Sequence, residues 1–281
     1  MNISSMPVPF MKLSGTGNDF IVIDNRNGLI QAQEMSEFAR LVCRRKFSVG
    51  ADGLILLENS SNADFRWQFF NGDGSVAEMC GNGARCAARF ANLQGIAPET
   101  MHFETLAGVI EAKVEASEVS VKMTPPKDIR LNRELEVDGR KISYHFIDTG
   151  VPHVLIFSDD IKNAPICELG RPIRFHSEFQ PAGTNVNFVG RLPGSLLHVR
   201  TYERGVEDET FACGTGATAC ALVGAMLGRE KSPVEIVTSG GDRLTIIFTL
   251  VDGNQAENVF LKGPAHVIYQ GEINAEALIE G

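Results

Sequence analysis

The sequence contains two near copies of one motif, Met79-Cys80-Gly81-Asn82-Gly83-Ala84-Arg85-Cys86-Ala87 and Ala212-Cys213-Gly214-Thr215-Gly216-Ala217-Thr218-Ala219-Cys220. Both copies read Cys-Gly-x-Gly-Ala, and each opens a stretch of helical character. A glycine follows each stretch, Gly95 in the first copy and Gly228 in the second, where it suits the position just past the end of a helix. The pattern predicts two helices, each with a cysteine at its N-terminus.

The similarity extends beyond the cysteines, which are 133 positions apart. The same offset relates seven pairs of residues: Gly17 and Gly150, Gly50 and Gly183, Gly81 and Gly214, Gly83 and Gly216, Gly95 and Gly228, Thr105 and Thr238, Gly108 and Gly241. The register slips after Gly241, and Val119–Lys122 resembles Val259–Lys262 at an offset of 140, so extra residues are expected around Asp252-Gly253-Asn254. A repeat of this length indicates two duplicated domains and not a solenoid.

The fold class predicted is α/β of the α+β type, with two pseudo-symmetric domains that arose by internal duplication. Each domain is expected to be a mixed β-sheet wrapped around its central helix, because helices are too few for a doubly wound parallel sheet. Thr124-Pro125-Pro126 is expected to be the segment where the chain passes from the first half to the second. The predicted domains are residues 1–126 plus about 267–281, and residues 127–266.

Hydrophobic periodicity predicts the remaining elements. A helix is expected over Gln33–Lys46, with Cys43 as a buried structural thiol, and a hairpin-type turn over Asn71–Gly74. Strands are expected at Phe20–Ile23, Leu54–Leu57, Phe65–Phe70, His102–Val114, Val119–Met123, Ser143–Phe157, Asn185–Val189, Leu197–Tyr202, Val234–Val237, Leu244–Leu250, Val259–Leu261 and Ala265–Tyr269, the last returning to the first domain.

Composition excludes several classes of protein. The net charge of −9 argues against a nucleic-acid partner, which requires a basic face. Six cysteines without paired spacing, and an N-terminus without a basic secretory leader, predict a cytoplasmic location. The uncharged stretch Thr210–Gly228 is rich in Gly, Thr and Cys, which favours a buried helix over a membrane span.

A cysteine at a helix N-terminus lies beside free N–H groups and a partial positive charge. Both favour the thiolate, and the same N–H groups can bind a carboxylate. Two such ends facing one substrate would place an α-carbon between two sulfur atoms. The sequence therefore indicates proton removal on one face of an amino acid and proton return on the other, by the thiols of Cys80 and Cys213.

Other readings of the cysteines are weaker. Cys86 and Cys220 lie further along the helices and are expected in the core. A Cys80–Cys86 redox pair lacks Cys-x-x-Cys spacing, no His or Cys cluster has zinc-ligand spacing, and no Gly-Lys-Ser/Thr follows the glycines to form a P-loop. No metal and no cofactor are expected.

Seven segments together resemble the diaminopimelate epimerase family: Gly15–Phe20, Gly50–Gly53, Phe70–Ser75, Met79–Cys86, Gly183–Phe188, Tyr202–Gly205 and Ala212–Gly216. The resemblance runs from about Met11 to the C-terminus and implies two pseudo-symmetric domains with the active site in a cleft. It also implies an enzyme of lysine and peptidoglycan-precursor biosynthesis that interconverts LL- and meso-diaminopimelate without pyridoxal phosphate or metal. By analogy, a homodimer is expected.

The resemblance also implies roles for individual residues. Cys80 and Cys213 would be the acid/base thiols. Backbone N–H groups of Gly81, Asn82, Gly214 and Thr215 would bind the reacting carboxylate. The substrate would be held, mostly at its other end, by Asn18, Asn71, Asn185, Glu203 and Arg204. His153 matches a histidine near the thiols and would support catalysis together with Glu203.

Two positions depart from the family pattern, since Val151 stands where many members have Asn, and Gly53 where some have Gln. A broader amino-acid racemase of the proline-racemase-like type is the nearest alternative, although such relatives typically carry His where this chain has Asn82. A catalytically inert binding protein with the duplicated fold is a third reading. Retention of both cysteines argues against it.

Overall fold

The computed structural model describes residues 6–192, 196–253 and 255–280. Its α-helices are α1 Met35–Val42, α2 Gly81–Leu93, α3 Ile166–Arg174 and α4 Gly214–Met226. Its β-strands are β1 Val8–Gly15, β2 Asn18–Asp24, β3 Gly53–Glu58, β4 Phe65–Asn71, β5 Thr100–Thr105, β6 Gly108–Glu115, β7 Glu118–Lys122, β8 Lys127–Val137, β9 Arg140–Asp148, β10 Pro152–Phe157, β11 Asn185–Arg191, β12 Leu197–Glu203, β13 Asp208–Thr210, β14 Val234–Thr238, β15 Arg243–Val251, β16 Gln255–Pro264 and β17 His266–Ile273.

The chain divides into two compact units, one formed by residues 1–121 with 263–281 and the other by residues 122–262. The divisions fall at the end of β7 and inside β16. They lie a few residues before the boundaries of 126 and 267 that the sequence suggested, because β7 ends at Lys122, before the prolines, and the chain re-enters the first unit within β16.

In the first unit, the strand order is β17-β1-β2-β3-β4-β5-β6-β7. The β2–β3 and β4–β5 pairs are parallel and the others are antiparallel, so the sheet is mixed. Alternate residues of β2 pack on opposite sides: Phe20 and Val22 belong to the core around α2, and Ile21 and Ile23 to the core around α1. This burial on both faces explains the continuous apolar run of β2.

In the second unit, β8, β9, β10, β11 and β12 follow one another across the sheet. β12 then pairs with both β13 and β14, and β15 and β16 complete the order. α4 packs on one core, which includes Leu155 and Val189, and α3 packs on another, which includes Val186 and Tyr202. α4 is almost entirely buried, and no helix among the described residues is long and apolar enough to cross a membrane.

The two units repeat each other element by element. α2 and α4 have the same length and are offset by 133 residues, and so are their N-caps, Cys80 and Cys213. Both glycines have positive φ in four of the pairs, Gly17/Gly150, Gly50/Gly183, Gly95/Gly228 and Gly108/Gly241. Positive φ is accessible to glycine at little cost, which explains why these positions kept their residue in both copies.

Several expectations from the sequence were wrong in detail. His102–Val114 is a hairpin of β5 and β6 and not one strand, because Gly108 (φ 114°) turns the chain. Charged residues along β8 and Pro172 inside α3 concealed these two elements. The helix expected over Gln33–Lys46 is confined to α1. At its C-terminal end the carbonyls of Val42 and Cys43 accept from Gly50 N and Ala51 N and not from a further helical turn. In the expected insertion, Asp252 and Gly253 form a turn, and Asn254 lies outside the described residues.

Candidate active site

Cys80 is the N-cap of α2 and stands in an extended conformation (φ −148°, ψ 120°). Its carbonyl accepts the first helical hydrogen bond, from Ala84 N at 2.8 Å, and its side chain does not cap the helix. The first turn of α2 contains no acidic residue, so no carboxylate of that turn neutralises the helix terminus. The N–H groups of such a turn have no partner within the helix and can receive an anion.

Asn82, in the same turn, is buried and its side-chain amide is held at both ends. Its Oδ1 accepts from Thr16 Oγ1 and from Arg85 Nη2, each at 2.9 Å. Its Nδ2 donates to Asn18 Oδ1 at 2.8 Å. Two donors at Oδ1 leave only one orientation for the amide, which in turn fixes the orientation of Asn18.

Asn18, Asp52 and Asn71 lie at the same end of three neighbouring strands, β2, β3 and β4, in the first unit's sheet. Asn18 begins β2, Asp52 immediately precedes β3, and Asn71 ends β4, opposite Gly53. Asn18 Nδ2 donates to Asp52 Oδ2 at 3.0 Å, and Arg45 Nη2 contacts Asp52 Oδ1 at 2.8 Å. Asn71 is exposed and its Nδ2 donates to Ser75 Oγ at 3.0 Å. At this end of the strands, the amide of Asn18 is therefore oriented by Asn82 and Asp52, and that of Asn71 by Ser75.

Cys213 repeats this arrangement in the second unit as the N-cap of α4 (φ −126°, ψ 107°). Its Sγ lies 3.5 Å from Thr215 Oγ1, and its carbonyl accepts from Ala217 N at 2.8 Å. Thr149 Oγ1 donates to the carbonyl of Thr215, which anchors the first turn of α4 to the loop after β9. The first turn of α4 also lacks acidic residues.

Close packing at the start of α4 requires glycine at position 216 and leaves little room for a side chain at position 214. A Cβ on Gly216 would stand 2.4 Å from Asn187 Oδ1 and 3.2 Å from Cys213 Sγ. A Cβ on Gly214 would stand 2.9 Å from Leu261 Cδ2. The glycines thus let the cysteine-bearing turn lie directly on the sheet.

Glu203 and Arg204 follow each other at the end of β12. Burial raises the pKa of the Glu203 carboxyl, although Thr210 Oγ1, which donates to Oε2 at 2.7 Å, opposes this shift. Arg204 donates from Nη1 to the carbonyl of Ala182 at 2.9 Å, and its backbone N–H donates to Asn185 Oδ1 at 2.8 Å. Asn185 is buried and also donates from Nδ2 to the carbonyl of Pro152. These contacts place Asn185, Glu203 and Arg204 together.

His153 is fully buried on β10, directly opposite Asn185 of β11. Its Nδ1 lies 3.0 Å from Asn187 Nδ2. Burial lowers the pKa of His153 to about 3, and the positive charge of Arg204 adds to the effect. The imidazole is therefore neutral at physiological pH.

Sequence reasoning gave no role to residues that position the expected ones. In the first unit these are Thr16, Arg85 and Asp52, and in the second unit Asn187 and Thr210. A signal was available for Asn187, because Asn185-Val186-Asn187 places two amides on one face of a strand whose neighbours are apolar.

The two departures from the family pattern have local explanations. A Cβ at Gly53 would stand 2.8 Å from both Phe69 Cε2 and the carbonyl of Phe70, so a larger residue does not fit this backbone. Val151 is half-buried in the turn before β10, where its carbonyl accepts from Thr149 N at 3.2 Å. This backbone contact does not depend on the side chain.

Comparisons with known proteins show where the chain belongs. Within the described residues no group of His, Cys, Asp and Glu side chains could hold a metal ion. The sequence model described as "Diaminopimelate epimerase" matches residues 10–129 and 145–268. The diaminopimelate epimerase of Aquifex aeolicus is 48% identical over 96% of this chain and 99% of its own length. The diaminopimelate epimerase of Archaeoglobus fulgidus is 45% identical over 84% of this chain and 88% of its own length.

Solved structures agree on the fold alone, because their sequence identities are low. A phenazine biosynthesis protein of the PhzF family from Bacillus anthracis has a TM-score of 0.71 at 14% identity, covering 96% of this chain and 99% of its own. A probable proline racemase from Agrobacterium radiobacter K84 has a TM-score of 0.66 at 16% identity, covering 95% of this chain and 93% of its own. The extent and identity of the sequence matches lead to one conclusion: the chain belongs to the diaminopimelate epimerase family.

Proposed function

We propose that this protein interconverts LL-2,6-diaminopimelate and meso-diaminopimelate by proton exchange at one α-carbon, with Cys80 and Cys213 as the acid/base pair. The observation that carries the proposal is the repetition of one device: a cysteine at the N-cap of the central helix in each of two duplicated units. Membership in the family supports the reaction and the substrate.

The proposed reaction begins with one cysteine as thiolate and the other as thiol. The thiolate removes the α-proton, and the electron pair left on the α-carbon spreads into the adjacent carboxylate. The other thiol then delivers its proton to the opposite face of the same carbon. The product has the inverted configuration, and the two sulfurs have exchanged protonation states. This chemistry requires both thiols to face the same α-carbon in the substrate complex.

The α-proton of an amino acid is very weakly acidic, so the charge that develops on the carboxylate must be stabilised. We infer that the N-terminal turns of α2 and α4 supply this stabilisation through the backbone N–H groups of Gly81, Asn82, Gly214 and Thr215. Such groups are fixed before the reaction begins, so little reorganisation is needed when charge develops.

The second amino-acid centre of diaminopimelate requires partners for another carboxylate and ammonium. Arg204 suits the carboxylate because a guanidinium can donate two parallel hydrogen bonds, and Glu203 suits the ammonium. We assign the orienting amides to Asn18, Asn71 and Asn185. His153 supports this arrangement from its buried position beside Asn185.

The setting proposed is cytoplasmic biosynthesis of lysine and peptidoglycan precursors, by a homodimer that uses neither pyridoxal phosphate nor a metal. A broader amino-acid racemase is the alternative that a substrate panel tests. Glu203 and Arg204 favour a substrate with a second charged centre, which proline lacks.

The experiment is turnover of LL-diaminopimelate in deuterated buffer. The wild-type protein is expected to place one deuterium at the inverted α-carbon and to leave proline and glutamate unchanged. Cys80→Ala and Cys213→Ala are each expected to abolish epimerisation. Cys167→Ser is the matched control, because Cys167 is an exposed thiol outside the proposed site. Product without α-deuterium, or full activity of either alanine variant, would refute the mechanism.

A further inference from the structure

Asn187 occupies a position between His153 and the cysteine-bearing turn of α4. It lies on β11 two residues after Asn185, so both amides point to the same face of the sheet. That face also carries Leu155 and Val189, which pack in the core around α4. Asn187 is fully buried, and its Oδ1 is the atom closest to where a Cβ on Gly216 would stand. A buried amide among apolar neighbours must have all its hydrogen bonds made locally.

The orientation of the Asn187 amide follows from chemistry. One end lies 3.0 Å from the backbone carbonyl of Val154, and a carbonyl can only accept, so this end must be the NH₂ group. The other end accepts the hydroxyl proton of Thr201 at 2.9 Å. The reversed amide would set an oxygen against the Val154 oxygen, which excludes it.

The same NH₂ group fixes the protonation of His153. One of its hydrogens goes to the Val154 carbonyl and the other to His153 Nδ1, 3.0 Å away. Nδ1 must therefore accept with its lone pair. A neutral imidazole carries one proton, so that proton is on Nε2. Protonating Nδ1 would set two donors against each other, which agrees with the direction in which burial moves the pKa of this ring.

The Nε2–H group is buried and has no hydrogen-bond partner among the described residues. Leaving a buried donor unpaired destabilises the fold, and native structures rarely do so without a functional reason. The unpaired Nε2–H group belongs to His153, which lies beside Asn185. Asn185 in turn accepts a hydrogen bond from the backbone N–H of Arg204. The arrangement resembles a donor held ready for an anion.

We propose that Asn187 is a positioning residue that locks His153 in its Nε2–H tautomer, and that His153 serves as a neutral hydrogen-bond donor to an anion and never as a proton acceptor. This inference rests on the proposed function. Two anions are candidates, the Cys213 thiolate and a substrate carboxylate, and each can accept a hydrogen bond from the Nε2–H group. In either case a neutral donor stabilises negative charge without giving up its proton to it.

The test begins with nitrogen NMR of the full-length protein carrying ¹⁵N-histidine, with the His153 signals assigned by their loss in His153→Gln. Wild-type Nε2 is expected to show a protonated-type shift and Nδ1 an unprotonated-type shift. In Asn187→Asp the new carboxylate accepts from the ring, so Nδ1 is expected to become protonated. The kcat of Asn187→Asp is expected to fall about tenfold or more, the size of a lost hydrogen bond to a charged group.

Asn25→Asp is the matched control for stability. Asn25 is buried and bonded to the Ile30 backbone, and it lies outside the proposed site. It should lose stability as Asn187→Asp does, while the His153 signals and kcat stay those of the wild type. Thr201→Val removes only the contact at Oδ1, so it is expected to keep the tautomer.

A second measurement identifies the anion. If it is the thiolate, the pH dependence of Cys213 alkylation by iodoacetamide, followed by peptide mass spectrometry, shifts to higher pH in Asn187→Asp. If it is the carboxylate, that dependence stays and KM rises. A protonated Nδ1 in the wild type, or unchanged kcat, KM and alkylation in Asn187→Asp, would overturn the inference. The NMR result on the free protein is independent of turnover, so failure of the proposed function would leave it standing and recognisable.

Discussion

Asn82 donates a hydrogen bond of 2.8 Å to Asn18, and this bond joins the first turn of α2 to the start of β2. Its direction is set from behind, because Thr16 and Arg85 both donate to the Oδ1 of Asn82. Asn18 then donates to Asp52. The buried Arg85 thus orients the Asn82 amide, and Asn82 in turn orients the Asn18 amide at the start of β2.

Thr16→Ala should weaken this relay. The variant loses the donor to Asn82 and also the acceptor, 2.6 Å away, of Arg85 Nη2. The free energy of unfolding is expected to fall by about 1–3 kcal/mol, because a buried charged donor loses a partner. KM for LL-diaminopimelate is expected to rise several-fold. Thr16→Ser keeps the hydroxyl and should restore both properties; an Ala variant that matches Ser in urea denaturation and KM would contradict the relay.

Glu203→Gln should separate stability from activity. Because burial raises the pKa of Glu203 in the folded protein, its ionisation costs more in the folded than in the unfolded state. That cost appears as pH rises through the folded pKa and persists at pH 8. The variant is therefore expected to unfold at an equal or higher urea concentration at pH 8, while kcat/KM falls about tenfold or more. Loss of stability together with full activity would show that the carboxylate is structural.

Gly216→Ala should damage the second unit more than Gly83→Ala damages the first. The new Cβ on residue 216 meets the buried Asn187 amide at 2.4 Å, whereas on residue 83 it meets the terminal methyl of Ile55 at 3.3 Å. Alanine gains about 1 kcal/mol of helix propensity in both variants, so the difference between them reports the collision. Thermal unfolding and kcat of the two variants provide the measurement. Equal effects would contradict the packing described.

His153 should make the protein sensitive to acid. Its folded pKa of about 3 is below the ordinary value of 6.5, so the unfolded chain binds more protons between these pH values. The contribution to stability is present above pH 6.5 and is lost as pH falls towards 3, at up to about 1.4 kcal/mol per pH unit. His153→Gln is expected to flatten this slope between pH 6.5 and 4 in urea titrations. An unchanged slope would mean that the ring titrates normally.

The six cysteines should differ sharply in reactivity. Cys86 and Cys220 are fully buried, and burial raises the pKa of Cys86 to about 12 and that of Cys220 well above its usual value. They are expected to react with iodoacetamide only in denaturant. Inactivation of the folded protein should parallel alkylation of Cys80 and Cys213, as measured by peptide mass spectrometry. Cys167→Ser should inactivate at the wild-type rate; activity that survives modification of both N-cap thiols would count against their role.

The repeat carried more structural information than the local patterns did. Adding 133 to the residue numbers of α2 and of its N-cap gives the start and end of α4 and its N-cap. The same shift applied to α1 falls on α3, which periodicity alone missed because Pro172 interrupts it. Homology within the chain survives where local propensity is weak, since the tertiary environment of the two copies was inherited together.

The sequence by itself determined the duplicated fold, the two central helices and the cysteines at their N-termini. The helices and their N-terminal cysteines follow from neighbouring residues, through apolar periodicity and the glycines that flank each helix. The duplication follows from the residue pairs that recur 133 positions apart. Only the tertiary structure decided the orientation of Asn82 and the tautomer of His153. Those depend on partners far away in the chain, Thr16 for Asn82 and Thr201 with Val154 for Asn187, and a hydrogen bond's direction is set by whichever donors and acceptors folding brings within about 3 Å.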